Sequence, residues 1–182
     1  MPKSKSAYSV PTKKEKSDTY IFVVWVDNEA GVLARVVGLF SGRGYNIESL
    51  AVAEVDAVKN ISRITIVTTG TPQVIDQIKL QLAKLVPVHK VADFKREDKN
   101  VIFKEMALFK ITGKKKKMEK CLNACKKFDL VILDETKTSK VIQITALRRE
   151  IDKISKKLKP WGLISASRTG AVAMTRGAKI FN

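Results

Sequence analysis

The chain has 182 residues, 45% of them hydrophobic, which is enough to bury one good core or two small ones and too apolar for a disordered protein. Its 35 Lys and Arg against 18 Asp and Glu leave a net charge of +17, which alone would point to a polyanionic partner. The distribution alters that inference: five Lys stand against two acids in residues 1–18, seven basic residues against seven acidic ones in 19–94, and 23 against nine in 95–182. No apolar run is long enough for a spanning helix and the N-terminus has no signal-peptide core, so a soluble cytoplasmic protein without membrane contact is expected.

Residues 1–18 mix Lys, Ser and Pro without periodicity and read as a mobile basic tail. Tyr20–Val26, YIFVVWV, is a continuous apolar strand, and Val32, Leu33, Val36, Val37, Leu39 and Phe40 recur at helical spacing. After the Gly42–Gly44 turn, NIESLAVAEV and SRITIVTT form two strand-like runs around a polar Asp56–Asn60 stretch, which predicts an antiparallel hairpin. Thr71 before Pro72 predicts a capped helix with its proline in the first turn, and Val74, Ile75, Ile78, Leu82 and Leu85 mark its apolar face. The strand VPVHKVADF closes a β-α-β-β-α-β unit.

The same order recurs in the second half. Strands are predicted over Val101–Thr112, Leu130–Asp134, Val141–Thr145 and Leu163–Arg168, and helices over Lys115–Lys127 and Arg148–Lys159. The fold class is therefore α+β, two tandem ferredoxin-like βαββαβ domains over residues 19–95 and 96–182, joined near Arg96–Asn100. Such a plan leaves the second sheet face or an edge strand open to a partner. Cys121 and Cys125, four residues apart on a helix, read as small buried hydrophobes. A metal site would need more ligands than they offer, and His89 is the only histidine. No metal site, catalytic triad, GDG-type diphosphate motif or dinucleotide fingerprint is present in the sequence.

One junction carries candidate chemistry. In VDNEAGVLARVV an apolar strand ends in Asp27-Asn28-Glu29 and a helix follows Gly31 directly. Its first backbone N–H groups lack partners and carry positive partial charge, and Gly31 lets a carboxylate approach them. Asn28, and Asn46 after the second glycine turn, can donate to a carboxylate or accept from an ammonium, so an amino acid would suit the site. The same residues would serve equally as a turn and a cap, and the residue types alone leave both readings open.

DNEAGVLARVVGLFSGRGYNIESLAV, followed by SRITIVTTGTPQVIDQIKLQLAKLVPVHKV, resembles the regulatory (small) subunit of acetolactate synthase, also called acetohydroxyacid synthase. The likeness runs from about Tyr20 to the terminal SRTGAVAMTRG and is looser between Lys95 and Lys159. The resemblance implies an N-terminal ACT domain, a homodimer through side-by-side ACT sheets, and a branched-chain amino acid, usually valine, bound at their interface. Carried over, the effector-binding positions are Asn28, Gly31, Val32 and Leu33, with Asn46 and Ile47 across the interface. It also implies a non-catalytic subunit that activates a separate large subunit and makes it sensitive to feedback inhibition. Thiamine diphosphate, magnesium and FAD then belong to that large subunit, with none in this chain.

Two other readings compete. Lys114–Lys117 and Lys153–Lys159 could neutralise phosphates on a nucleic acid, but Phe103, Phe109, Phe128 and Trp161 fall on separate elements, as core residues do, so nucleic acid is not the expected partner. A free-standing ACT sensor of another enzyme is the remaining alternative.

Overall fold

The computed structural model describes residues 16–96 and 98–178. Most of the predicted basic tail lies outside these residues, and so do residues 179–182; Asp18, assigned to the tail, already belongs to the first strand. In the first half β1 (Asp18–Asp27) leads to α1 (Val32–Gly42), the hairpin β2 (Ser49–Asp56) and β3 (Ile61–Gly70), α2 (Pro72–Leu82) and β4 (Val88–Lys95). In the second, β5 (Val101–Thr112) leads to α3 (Lys115–Cys125), β6 (Asp129–Glu135), β7 (Ser139–Ala146), α4 (Arg148–Leu158) and, after a short 3-10 turn, β8 (Leu163–Thr175). The sheets have the orders β2-β3-β1-β4 and β6-β7-β5-β8, antiparallel throughout, so the two-unit α+β plan read from the sequence is the observed fold.

Local chemistry accounts for the elements. The Thr71 hydroxyl accepts from the Val74 N–H at 3.4 Å and Pro72 opens α2, as the dipeptide predicts. In the first unit Phe22, Val24, Val36, Phe40, Ile64, Ile66, Ile78 and Leu82 form a closed core between sheet and helices. The second unit has an equivalent core around Phe109, Ile142, Ile144, Ile151 and Leu158, with Cys121 and Cys125 fully buried in it as free thiols.

The sequence reading ends β8 seven residues early, at Arg168 instead of Thr175. Strand β7 pairs with β5 only from Glu105 onward, whereas β8 follows β5 back to Val101. Val101–Lys104 and Val172–Thr175 thus project beyond the second sheet as a two-stranded arm. The arm turns Val101, Phe103 and Ala173, with Ala171 at its root, onto Ile21, Val23 and Val67, on the face of the first sheet away from its helices. Of the two surfaces expected to be open to a partner, the β2 edge is not paired among the described residues of the chain, and that face is covered by the chain's own second half. This explains why YIFVVWV shows no alternation: β1 is buried on both sides. Each Val, Ile or Phe so buried contributes about 1.5–3 kcal/mol.

A bulge aims the arm. Arg168 pairs with Ala107 and Ala171 with Glu105, so Thr169 and Gly170 together oppose Met106. Gly170 has φ +81°, and a Cβ there would lie 2.8 Å from Ser49 Oγ and 3.1 Å from the Leu50 carbonyl oxygen. Beside the bulge Arg168 donates to both oxygens of Glu105, at 2.6 and 2.8 Å, and to Asp152 of α4 at 2.6 Å. These bonds, those to Glu105 foremost, raise the guanidinium pKa further and keep it charged. Glu105 is 2% exposed, and the bidentate pairing is what allows a carboxylate in that position.

Two measurements follow from this packing. Gly170→Ala adds a strained left-handed residue, costing about 1–2 kcal/mol, to an overpacked contact costing about 1–3 kcal/mol. Gly44→Ala, at φ +68° with nothing within 4 Å, carries only the backbone cost. Urea denaturation should therefore rank Gly170→Ala well below Gly44→Ala; equal losses would mean that the Ser49 contact is slack. The second measurement concerns pH. Desolvation, and secondarily Cys121, raises the Cys125 thiol from 9.0 to about 11. The unfolded thiol therefore ionises first, and stability should fall as pH rises from about 9 to 11. Cys125→Ala should lessen that fall relative to the parent, and parallel stability curves for the two would remove the thiol as its source.

Candidate functional site

Asn28 and Gly31 sit where β1 ends and α1 begins. The Asn28 N–H donates to the Asn60 carbonyl at 2.8 Å, and its Oδ1 accepts from the Ser62 hydroxyl at 3.0 Å. With its oxygen engaged, the amide presents its NH₂ as the outward group, which suits a carboxylate better than an ammonium. Gly31 is the N-cap of α1 at φ +85°, ψ −10°, and a Cβ there would meet nothing within 4 Å. The glycine thus answers a backbone requirement, and the space above it is open. No side chain caps α1 and no acidic residue stands in its first turn; the Val32 N–H reaches the Glu29 carbonyl at 3.4 Å, and the helix start keeps its partial positive charge.

The remaining predicted positions divide in two. Val32 is a core residue, 4% exposed, and offers the site only its backbone; Leu33 beside it is 41% exposed and offers an apolar side chain. Asn46 and Ile47 precede β2 at the other end of the sheet. The Asn46 carbonyl accepts from the Thr68 hydroxyl at 2.7 Å, and Ile47 packs half-buried against the first core. Ser62 and Thr68 are six residues apart on β3, so the Asn28 and Asn46 positions lie about 20 Å apart within one chain. The structure gathers Asn28, Gly31, Val32 and Leu33, and does not bring Asn46 and Ile47 to them.

Ser62 and Thr68 are the residues the sequence reading passed over. Both are buried and polar, and they bracket Ile64 and Ile66 on the core-facing side of β3. Each hydroxyl holds one of the two asparagine positions, and the signal for them was a hydroxyl at each end of an apolar row. A second missed set fastens the Asn46 segment to the other half of the chain. Arg148, first residue of α4, donates to the Glu48 carbonyl at 3.1 Å and lies 3.8 Å from its carboxylate, while the Ala171 N–H donates to Ser49 Oγ at 3.3 Å.

The rest of the candidate chemistry is occupied or dispersed. His89 contacts Asp27 at 2.6 Å. Phe103 and Phe109 are buried, Phe128 and Trp161 pack against the second core, and the lysines of α3 and the outer face of α4 are exposed along solvated helix faces. Among the described residues no helix is long and apolar enough to cross a membrane.

Comparison with known proteins identifies the family. Residues 22–90 match the family model described as the AHAS small subunit-like ACT domain, and residues 104–177 match that described as the small subunit of acetolactate synthase. The acetolactate synthase small subunit of Aquifex aeolicus is 36% identical over 92% of this chain and 86% of its own length. That of Buchnera aphidicola is 38% identical over 85% of this chain and 96% of its own. The crystal structure of the acetolactate synthase small subunit from Thermotoga maritima superposes with a TM-score of 0.79 at 32% identity, over 88% of this chain and 99% of that one. Fold and family model together define a protein of the ACT-domain class. More narrowly, the chain belongs to the family of acetolactate synthase small subunits.

The αL cap gives a direct check. Gly31→Val should cost about 1–2 kcal/mol in denaturant unfolding, and Gly31→Asn clearly less, because Asn enters that conformation more readily. Equal losses would show that the added side chains meet something other than open space.

Proposed function

We propose that this chain is the regulatory subunit of an acetolactate synthase, activating the catalytic large subunit and making it sensitive to feedback inhibition by valine. The observation that carries this reading is the bare turn at Gly31. An uncapped helix start, a glycine with open space above it and an amide held donor-outward by Ser62 form half of a carboxylate site. Leu33 supplies an apolar surface for a branched side chain.

The other half comes from a second copy in this reading. Strand β2 is an edge strand, exposed from Val52 to Val55. Two β2 edges paired antiparallel about a two-fold axis would bring the Asn28 end of one sheet beside the Asn46 end of its partner. A homodimer would thus hold two equivalent effector sites, each built from Asn28, Gly31, Val32 and Leu33 of one protomer and Asn46 and Ile47 of the other. Residues 19–95 would act as the effector-binding domain and 96–182 as the domain that carries its state onward. Valine can shift the holoenzyme only by binding one of its arrangements more tightly than another. The reaction itself, with thiamine diphosphate, magnesium and FAD, would belong to the large subunit.

Reconstitution with the large subunit and titration with valine, alongside calorimetry on the isolated chain, tests this reading. Gly31→Asp sets a carboxylate where the ligand's carboxylate would lie, and Asp tolerates the left-handed conformation. That variant should still activate the large subunit but no longer confer valine inhibition. Asn28→Ala should weaken valine binding about 10- to 150-fold, the loss of one hydrogen bond to a charged group. Ser62→Ala, which only frees the Asn28 amide to rotate, should fall between Asn28→Ala and the parent. Unchanged valine affinity in Gly31→Asp and Asn28→Ala would move the effector site elsewhere.

A further inference from the structure

A cavity of about 710 Å³ lies away from the Asn28–Gly31 turn, in the angle between the two halves. Ile21 and Val67 of the first sheet and Phe103 of the arm only edge it, since they are buried against one another, and its exposed apolar side chain is Ile102. Its wall is cationic, with Arg96 and Lys99 from the linker, Lys104 from the arm, Arg176 just after β8, and Arg148 and Arg149 from the start of α4. Two carboxylates, Asp98 and Glu150, also line it, and each already accepts from a backbone N–H, of Asn100 at 2.8 Å and of Leu147 at 3.2 Å. The eleven-residue helix α4 opens on the same space, with Glu150 in its first turn already holding the Leu147 N–H.

This concentration differs in kind from the lysines of α3 and the outer face of α4, which spread along solvated helix faces. Here cations from the linker, the arm and the start of α4 line one concavity, and of these Arg148 is already paired with Glu48. Like charges so gathered repel one another, and a multivalent anion relieves that repulsion. The volume falls within the range of small-molecule sites, roughly 300–1,000 Å³, and the exposed Ile102 suits a ligand with a non-polar part. Arginine forks match phosphate oxygens in pairs. We propose that this inter-unit cavity is a binding site for a small organic di- or triphosphate, with its phosphates on the cationic wall and its non-polar part against Ile102. The inference does not depend on the valine site, and its test uses the isolated full-length chain.

Calorimetry at constant ionic strength would compare orthophosphate, inorganic pyrophosphate and a nucleoside diphosphate. Pyrophosphate should bind one site per chain at least tenfold more tightly than orthophosphate, and the nucleoside diphosphate more tightly still. The triple variant Lys99→Gln/Lys104→Gln/Arg176→Gln should weaken pyrophosphate binding at least tenfold, whereas Lys116→Gln/Lys117→Gln on α3 should leave it unchanged. Lys99, Lys104 and Arg176 are exposed at the cavity, and melting curves verify that the fold survives their replacement. A second readout needs no variant: pyrophosphate should protect Lys99 and Lys104, but not Lys116 and Lys117, from acetylation. Absence of saturable diphosphate binding would overturn the proposal. Equal weakening by the α3 variant, or protection spread evenly over all four lysines, would overturn it too, since either marks a diffuse charge effect. So would an oligonucleotide that binds while pyrophosphate does not.

Discussion

Ile21, Val23 and Val67 would face water if Phe103, Ala171 and Ala173 did not lie across them, and much of the architecture depends on that contact. It needs a strand apolar on both faces, which β1 supplies, and a strand pair long enough to overreach its own sheet, which β5 and β8 supply. It also needs a bulge to turn the overreaching part, and Thr169-Gly170 opposite Met106 makes one. The charged group Arg168–Glu105–Asp152 stands at the root of the arm, where the strand pair leaves the support of α4. Although the chain changes sheet between Lys95 and Val101, its packing runs across that change. A fragment ending near Phe94 would uncover three large side chains that the intact protein buries.

Much of the fold was legible because each unit repeats a pattern with strong punctuation. Helical spacing from Val32 to Phe40, the Thr71-Pro72 start of α2, and the polar stretch between β2 and β3 each leave one reading. The end of β8 was not legible for a physical reason. Gly170 and the small residues around it look like the close of a strand, whereas the glycine is there because Ser49 lies against it. The partner of the outer face of β1 was hidden in a similar way. A run without alternation says that both faces are buried and does not say by what, and here the answer lies some 80 residues later in the chain, in Phe103 and beyond, as the residue numbers show.

The candidate site was legible in its residue types and not in its arrangement. Asn28 and Gly31 show up as a polar turn before a helix, but the orientation of the Asn28 amide comes from Ser62, which sequence places 34 positions away. The same strand that orients Asn28 at one end holds the Asn46 backbone at the other through Thr68. Strand β3 thus holds both asparagine segments and sets the distance between them. The asymmetry of charge has a comparable explanation: part of the positive excess in the second half is ordinary solvation of helix faces, and part is gathered where the halves meet.

The short segment Glu48–Ser49 belongs to both halves at once. From its own side Glu48 is held by the Val67 carbonyl and the Thr69 hydroxyl; from the other side Arg148 grips its carbonyl, and Ala171 and Gly170 close on Ser49. These two residues form a seam, and a seam constrains descent as well as motion. A second half borrowed from a relative would fit this first half only if it brought a compatible residue at position 148 and a glycine at position 170. The two halves are therefore bound to change together at the seam, however freely they drift elsewhere.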